Sequence, residues 1–186
     1  MVNYVNFIQS SGAQKIDTGV AVKSTIGYEV EFALTVTSGQ QGVIGGFTYG
    51  GYNHNFAGYD GKWFTQYGNN GGYQFGTTDT NKHTLSQNVT IGAVTFDGTT
   101  IQTGLTYYDN TDKTFALFCY NGGSSYPQFW PGSLKLYRCK MYDNGTLVRD
   151  FWPCYDPDGV ACLYDKVEKK YYYNAGSGEF IAGEAA

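Results

Sequence analysis

The segment from Gly132 to Cys154 constrains the fold of this chain most. Its centre is Asp143-Asn144-Gly145, set between two runs rich in apolar and β-branched residues. Asn-Gly supplies the positive φ angles that a two-residue hairpin turn needs, which makes this the strongest short-range hairpin signal in the chain. A second turn, Asp156-Pro157-Asp158-Gly159, follows directly, and then an apolar run from Val160 to Tyr164. Three strands joined by two tight turns, with no helix between them, define antiparallel sheet.

The longest regular pattern lies upstream. From Thr25 to Val36, Ile26, Tyr28, Val30, Phe32, Leu34 and Val36 fall on one face, and Gly27, Glu29, Glu31 and Ala33 fall on the other. That period of two predicts a strand with one face on the core. Shorter strands are expected over 42–48, 56–59, 62–67, 72–75, 83–86, 89–96 and 99–102, separated by Gly, Asn and Asp. The run from Thr114 to Tyr120 is apolar on both faces, as a central strand would be. Between Gly132 and Tyr142 the pattern slips. Leu134 and Leu136 share one face, and Tyr137, Cys139 and Met141 share the other. Either both faces are buried or a β-bulge near Tyr137 flips the register.

Composition agrees. The 186 residues include 26 Gly, 18 Tyr and 12 Phe, with 15% charged residues, against roughly 25% in an ordinary domain. Such a chain favours short strands and tight turns over helices. No linker or internal repeat divides it, so residues 1–186 are expected to form one domain, an all-β antiparallel sandwich of two stacked sheets with almost no helix. The net charge of −4 and the lack of a basic run argue against nucleic acid. No apolar run approaches the ~18 residues of a membrane-spanning helix, so no membrane insertion is expected. The start, Met1 to Phe7, lacks the basic-then-apolar profile of a signal peptide. The expectation is a chain made without its own export signal or cut from a larger secreted protein.

Four segments also resemble a known group. Tyr4-Val5-Asn6-Phe7-Ile8-Gln9-Ser10-Ser11-Gly12-Ala13-Gln14-Lys15-Ile16-Asp17-Thr18-Gly19 is similar to the opening motif of concanavalin A-like (laminin G-like) jelly-roll domains. Such domains occur in surface proteins of gut Firmicutes and in tail or fibre proteins of their phages. Tyr142 to Phe151 resembles a motif near that group's end, and Val160 to Asp165 with Tyr171 to Gly178 resembles its close. The resemblance covers the chain from about Tyr4 to Gly183. It implies a jelly roll with a lectin-like or adhesive role, in a virion or at a cell surface. These are framework motifs and mark no ligand site.

Catalytic chemistry finds little support in the residues. Glu29 and Glu31 share a strand face, but the Glu-x-Asp-x-x-Glu run of laminarinase-like hydrolases is absent, so they read as solvated carboxylates on an outer face. Of the two histidines, His83 at a strand start reads as structural. His54, between Asn53 and Asn55, reads as a loop residue able to hydrogen-bond a sugar. Cys119, Cys139, Cys154 and Cys162 lack metal-ligand spacing and read as packed, unbridged thiols. Cys154 and Cys162 could nevertheless approach each other across the Asp156 to Gly159 turn, for a disulfide in an oxidising compartment. Asp109, Asn110 and Asp112, or Asp156 and Asp158, could offer calcium oxygens, but each cluster reads more simply as a turn. No metal or cofactor is expected.

What remains is three aromatic and amide-rich loops, over 49–55, 67–73 and 121–130. Sugar C–H faces stack on aromatic rings, and sugar hydroxyls pair with amides. The expected ligand contacts are Tyr52, Asn53, His54, Trp63, Tyr73, Tyr126 and Trp130, with Trp63 lying flat at the rim. The leading expectation is a non-catalytic module that binds a cell-surface glycan. The alternative is a virion structural or decoration protein whose rings contact other subunits or further copies of the chain, and a glycoside hydrolase comes third.

Overall fold

The computed structural model describes residues 2–48, 52–68, 71–106, 113–121 and 129–186. Among these residues there is no helix. The strands are β1 (Asn3–Tyr4), β2 (Ile8–Ser11), β3 (Ile16–Ala21), β4 (Ile26–Leu34), β5 (Gln40–Thr48), β6 (Tyr52–Tyr59) and β7 (Lys62–Gly68). They continue as β8 (Tyr73–Phe75), β9 (His83–Asn88), β10 (Ala93–Phe96), β11 (Thr99–Gln102), β12 (Thr114–Leu117) and β13 (Cys119–Asn121). The last are β14 (Phe129–Pro131), β15 (Ser133–Asp143), β16 (Thr146–Tyr155), β17 (Ala161–Asp165), β18 (Lys170–Tyr172) and β19 (Ile181–Ala182).

They form two sheets. The larger runs β11-β10-β9-β4-β15-β16-β17-β18, with β1 on β16 and β2 joining β15 to β19. The smaller runs β14-β13-β5-β6-β7-β8, with β12 between β5 and β3. The chain is therefore an antiparallel β-sandwich. The one parallel contact among the described strands is between β13 and β5.

The alternation of β4 places the core. Ile26, Tyr28, Val30, Phe32 and Leu34 are all buried, while Val36 lies beyond the strand and is exposed. Val30 faces Cys139 on one side and Leu85 on the other. Across the gap the rings of Phe56 and Trp63 lie 5.4 and 5.7 Å from Phe32. Each such side chain contributes about 1.5–3 kcal/mol by leaving water.

The slip in β15 is a bulge at Tyr137. Leu136 pairs with Phe32 and Arg138 with Glu31, so Tyr137 has no Cα partner on β4. Leu134, Leu136, Cys139 and Met141 are all buried as a result. The bulge also marks a change of neighbour: β15 pairs with β2 from Ser133 to Leu136, and with β16 from Cys139 onward. The β15–β16 hairpin closes as its sequence demands, with Asn144 at φ 48° and Gly145 at φ 81° between partners Asp143 and Thr146.

Three expectations are revised. The run from Thr114 to Tyr120 is two strands, broken at Phe118 with φ 66°, although Phe115 to Cys119 are all buried. The strand expected over 89–96 begins only at Ala93, after a turn. Finally, β6 begins at Tyr52, so Tyr52 to Asn55 are strand residues and not loop.

Candidate functional site

His54 and Trp63 are corrected first. His54 is fully buried in β6, its ring 4.8 Å from Tyr67 and 6.0 Å from Phe115. Burial pushes its pKa down to about 4, because a charged imidazole is poorly solvated there. Trp63 is only 2% exposed and sits among Phe32, Phe56 and Phe96. Neither is a rim residue. The physical reason is register: His54 and Trp63 fall on strand positions that face the large sheet.

The remaining candidates are placed as follows. Tyr73 opens β8, is exposed, and stacks on Phe75 with centroids 5.9 Å apart. Tyr52 and Asn53 open β6 and Trp130 lies in β14, placed by backbone alone. Tyr126 lies outside the described residues, as do Asp109, Asn110 and Asp112.

The strands that carry the three expected loops do converge. The chain leaves β5 after Thr48, β7 after Gly68 and β13 after Asn121. Asn121 is level with Gly46 in parallel pairing, Gly46 with His54, and His54 with Tyr67. All three exits therefore lie at one end of the small sheet.

A cleft opens towards the same end on the outer face of the large sheet. Tyr28 contacts Phe115, the ring that also meets His54, and Gln87 Nε2 donates to Thr65 Oγ1 at 3.2 Å. These contacts bring the start of β4 level with His54. The outward neighbour of Tyr28 is Gly27, whose strand partner is Tyr142. Beside it lies a cleft of about 260 Å³, lined by Gly27, Glu29, Ser86, Asn88, Thr90 and Tyr142 among others. Alanine could not occupy this position, because its Cβ would lie 2.5 Å from the Gln87 carbonyl oxygen. Two turns build the rim. Asn144 N–H donates to Thr25 O at 2.9 Å, and Thr90 N–H donates to Asn88 Oδ1 at 3.0 Å. The cleft is slightly smaller than the ~300 Å³ at which drug-sized pockets begin, and it combines one ring with hydroxyl, amide and carboxylate groups.

The two β4 carboxylates do not form a catalytic pair in this cleft. Glu29 lines it and accepts from Lys140 Nζ at 3.0 Å. Glu31 is held by Lys82 at 2.6 Å and is not among the lining residues. Such partly exposed ion pairs are worth about 0–1 kcal/mol.

The other polar clusters are structural in geometry. His83 Nε2 lies 2.9 Å from Asp79 and Nδ1 2.7 Å from Asp97. The two carboxylates sit at opposite ring nitrogens and share no point where a metal could bind both. Among the described residues no group of three or more His, Cys, Asp or Glu side chains is placed to hold a metal ion. Asp156 accepts from the backbone N–H groups of Asp158 and Val160 and from the Tyr173 hydroxyl, which is a turn closed by its own carboxylate. Beside β16, Arg138 grips Asp150 through two bonds of 2.9 and 3.0 Å, and Trp152 Nε1 donates to the same carboxylate. Burial alone would raise the Asp150 pKa, but these bonds hold it below its usual value.

Sequence reasoning passed over Gly27, Ser86, Asn88, Thr90 and Tyr142 as site residues. The available signal was Gly27 itself, a glycine on the outer face of the longest alternating run, where close approach or a notch is the usual reason. A scan against family models and a search of curated proteins return no match to the chain.

Proposed function

We propose that this protein is a non-catalytic, lectin-like module whose sugar site is the cleft over Gly27. The carrying observation is the composition of that cleft, with the Tyr142 ring beside the polar groups of Glu29, Ser86, Asn88 and Thr90. A ring offers a stacking surface for a C–H face, and the amide and hydroxyls can exchange hydrogen bonds with sugar hydroxyls. The chain leaves β5, β7 and β13 at the same end of the small sheet as the cleft. Among the described residues Glu29 is the one carboxylate lining the cleft, which favours binding over hydrolysis, a reaction that needs two acids flanking the bond. The resemblance of Tyr4 to Gly19 and Tyr142 to Phe151 to jelly-roll domains of bacterial surface and phage fibre proteins favours a glycan of a cell surface as the target.

The test is a glycan array probed with the labelled protein, beside a light-scattering mass in solution. Discrete sugar hits support the reading. A stable oligomer with no sugar response would transfer it to an assembly surface, and release of a reducing end from a bound sugar would transfer it to hydrolysis.

A further inference from the structure

Cys154 in β16 and Cys162 in β17 are direct Cα partners. Their sulfurs lie 3.7 Å apart, and the Cys154 thiol also lies 3.7 Å from the Cys162 carbonyl oxygen. Both are free and fully buried. Cα atoms of antiparallel partners stand about 4.5 or 5.5 Å apart, and both spacings fall inside the ~4.4–6.8 Å range that a disulfide spans. The sulfurs need only close to ~2.05 Å, a movement within reach of side-chain rotation. The turn beyond them holds the strands at this spacing already, with Asp156 N–H on Val160 O at 3.0 Å and Gly159 N–H on Asp156 O at 3.1 Å.

The other two thiols provide the contrast. The strand partner of Cys119 is Pro131, and those of Cys139 are Phe151 and Val30. Burial pushes the Cys119 thiol up to about 12 and raises that of Cys139 as well. Within the pair the effect is split: Cys154 is shifted down, because the Cys162 S–H can donate to its sulfur, and Cys162 is raised. A thiolate at Cys154 is the nucleophile that exchange chemistry needs. On its other side Cys154 is flanked by Tyr4 of β1, a strand of two residues.

We propose that Cys154 and Cys162 form a reversible disulfide site, oxidised by low-molecular-weight disulfides. The Cys154 thiolate attacks one sulfur of the reagent, its S–S bond breaks, and the first thiolate leaves. The resulting mixed disulfide joins Cys154 to the remaining half of the reagent. Cys162 gives its proton to the departed thiolate and attacks Cys154 Sγ, which releases the second half as a thiolate that takes a proton from water. If Cys154 began as the thiol, its proton has gone to solvent, and the sum is two protein thiols plus one small disulfide giving one protein disulfide plus two small thiols. The bridge would clamp β16 to β17 across the Asp156 to Gly159 turn.

The experiment equilibrates the folded full chain with graded mixtures of oxidised and reduced glutathione. Acid quenching, alkylation in denaturant, intact mass and peptide mapping follow. The expected result is loss of two of the four alkylations in oxidising mixtures, mapped to Cys154 and Cys162 and regained in reducing ones. Four alkylations at every ratio, or a bridge that includes Cys119 or Cys139, would overturn the proposal. In Cys162→Ser the second step is removed, so one glutathione should remain on Cys154. A folded variant without that adduct counts against the site, and if the variant does not fold the wild-type map decides alone.

Discussion

His83 Nδ1 lies 2.7 Å from Asp97 Oδ2, which ties the start of β9 to the turn between β10 and β11. Asp97 Oδ1 also accepts from Thr84 N–H at 2.8 Å, and the His83 ring stacks on Phe96 at 4.8 Å. Burial alone would lower the imidazole pKa, but hydrogen bonds to Asp97 and Asp79 outweigh it and raise it. A histidine whose pKa is raised on folding stabilises the fold fully below its unfolded value of about 6.5, and that stability is lost as pH rises through the folded value. Stability to urea should therefore decline as pH rises above about 6.5, and only modestly, because both carboxylates are half exposed. Asp97→Asn should flatten this slope, and equal slopes in both proteins would contradict the account.

His54 works in the opposite sense. Its pKa is pushed down to about 4 by burial, so the unfolded chain binds its proton first as pH falls below about 6.5. The fold should lose roughly 3 kcal/mol between pH 6.5 and 4 from this group. Urea midpoints across that range measure it. His54→Phe, if folded, should show a shallower loss.

Val30→Asp should prevent folding. Val30 is fully buried between Leu85 and Cys139, and an unpaired carboxylate there costs several kcal/mol. Circular dichroism and thermal melting read the outcome. A folded protein of parental stability would mean that the inward face of β4 is wrongly assigned.

Much of this architecture was legible because it is written in local patterns. The Asn144-Gly145 turn follows from two residues and the core face of β4 from five, while the mismatch between Leu134/Leu136 and Cys139/Met141 left a bulge and two buried faces as alternatives. The candidate site was less legible. Asn53-His54-Asn55 is polar and flanked by glycines, which looks like loop until β5 and β7 pair with it on both sides. Trp63 is buried by Phe32, Phe56 and Phe96, residues from three other strands, and no local spacing encodes that meeting. The cleft likewise depends on β4, β9 and the β15–β16 hairpin lying side by side, a long-range arrangement that begins with a single outward glycine.

Glu29→Gln separates binding from hydrolysis. The amide keeps a hydrogen-bonding oxygen but loses the charge of a group that lines the cleft, so affinity for an array hit should fall by no more than about 3 kcal/mol, while neither protein cleaves it. A catalytic carboxylate would instead show lost turnover of that sugar in the variant. Parental protein that cleaves the hit, with Glu29→Gln inactive, would contradict the non-catalytic reading.

The most direct test of the sugar site is titration calorimetry of Tyr142→Ala against the strongest array hit. Among the described residues Tyr142 is the one ring in the cleft lining and stands on the outer face, so its removal should leave the core intact, as a melting curve can verify. Loss of a stacking hot spot costs on the order of 1–3 kcal/mol, or roughly 5- to 150-fold in affinity. The account predicts a loss in that range with an unchanged melting midpoint. A folded Tyr142→Ala protein that binds the same sugar as tightly as the parent would place the site away from the cleft over Gly27.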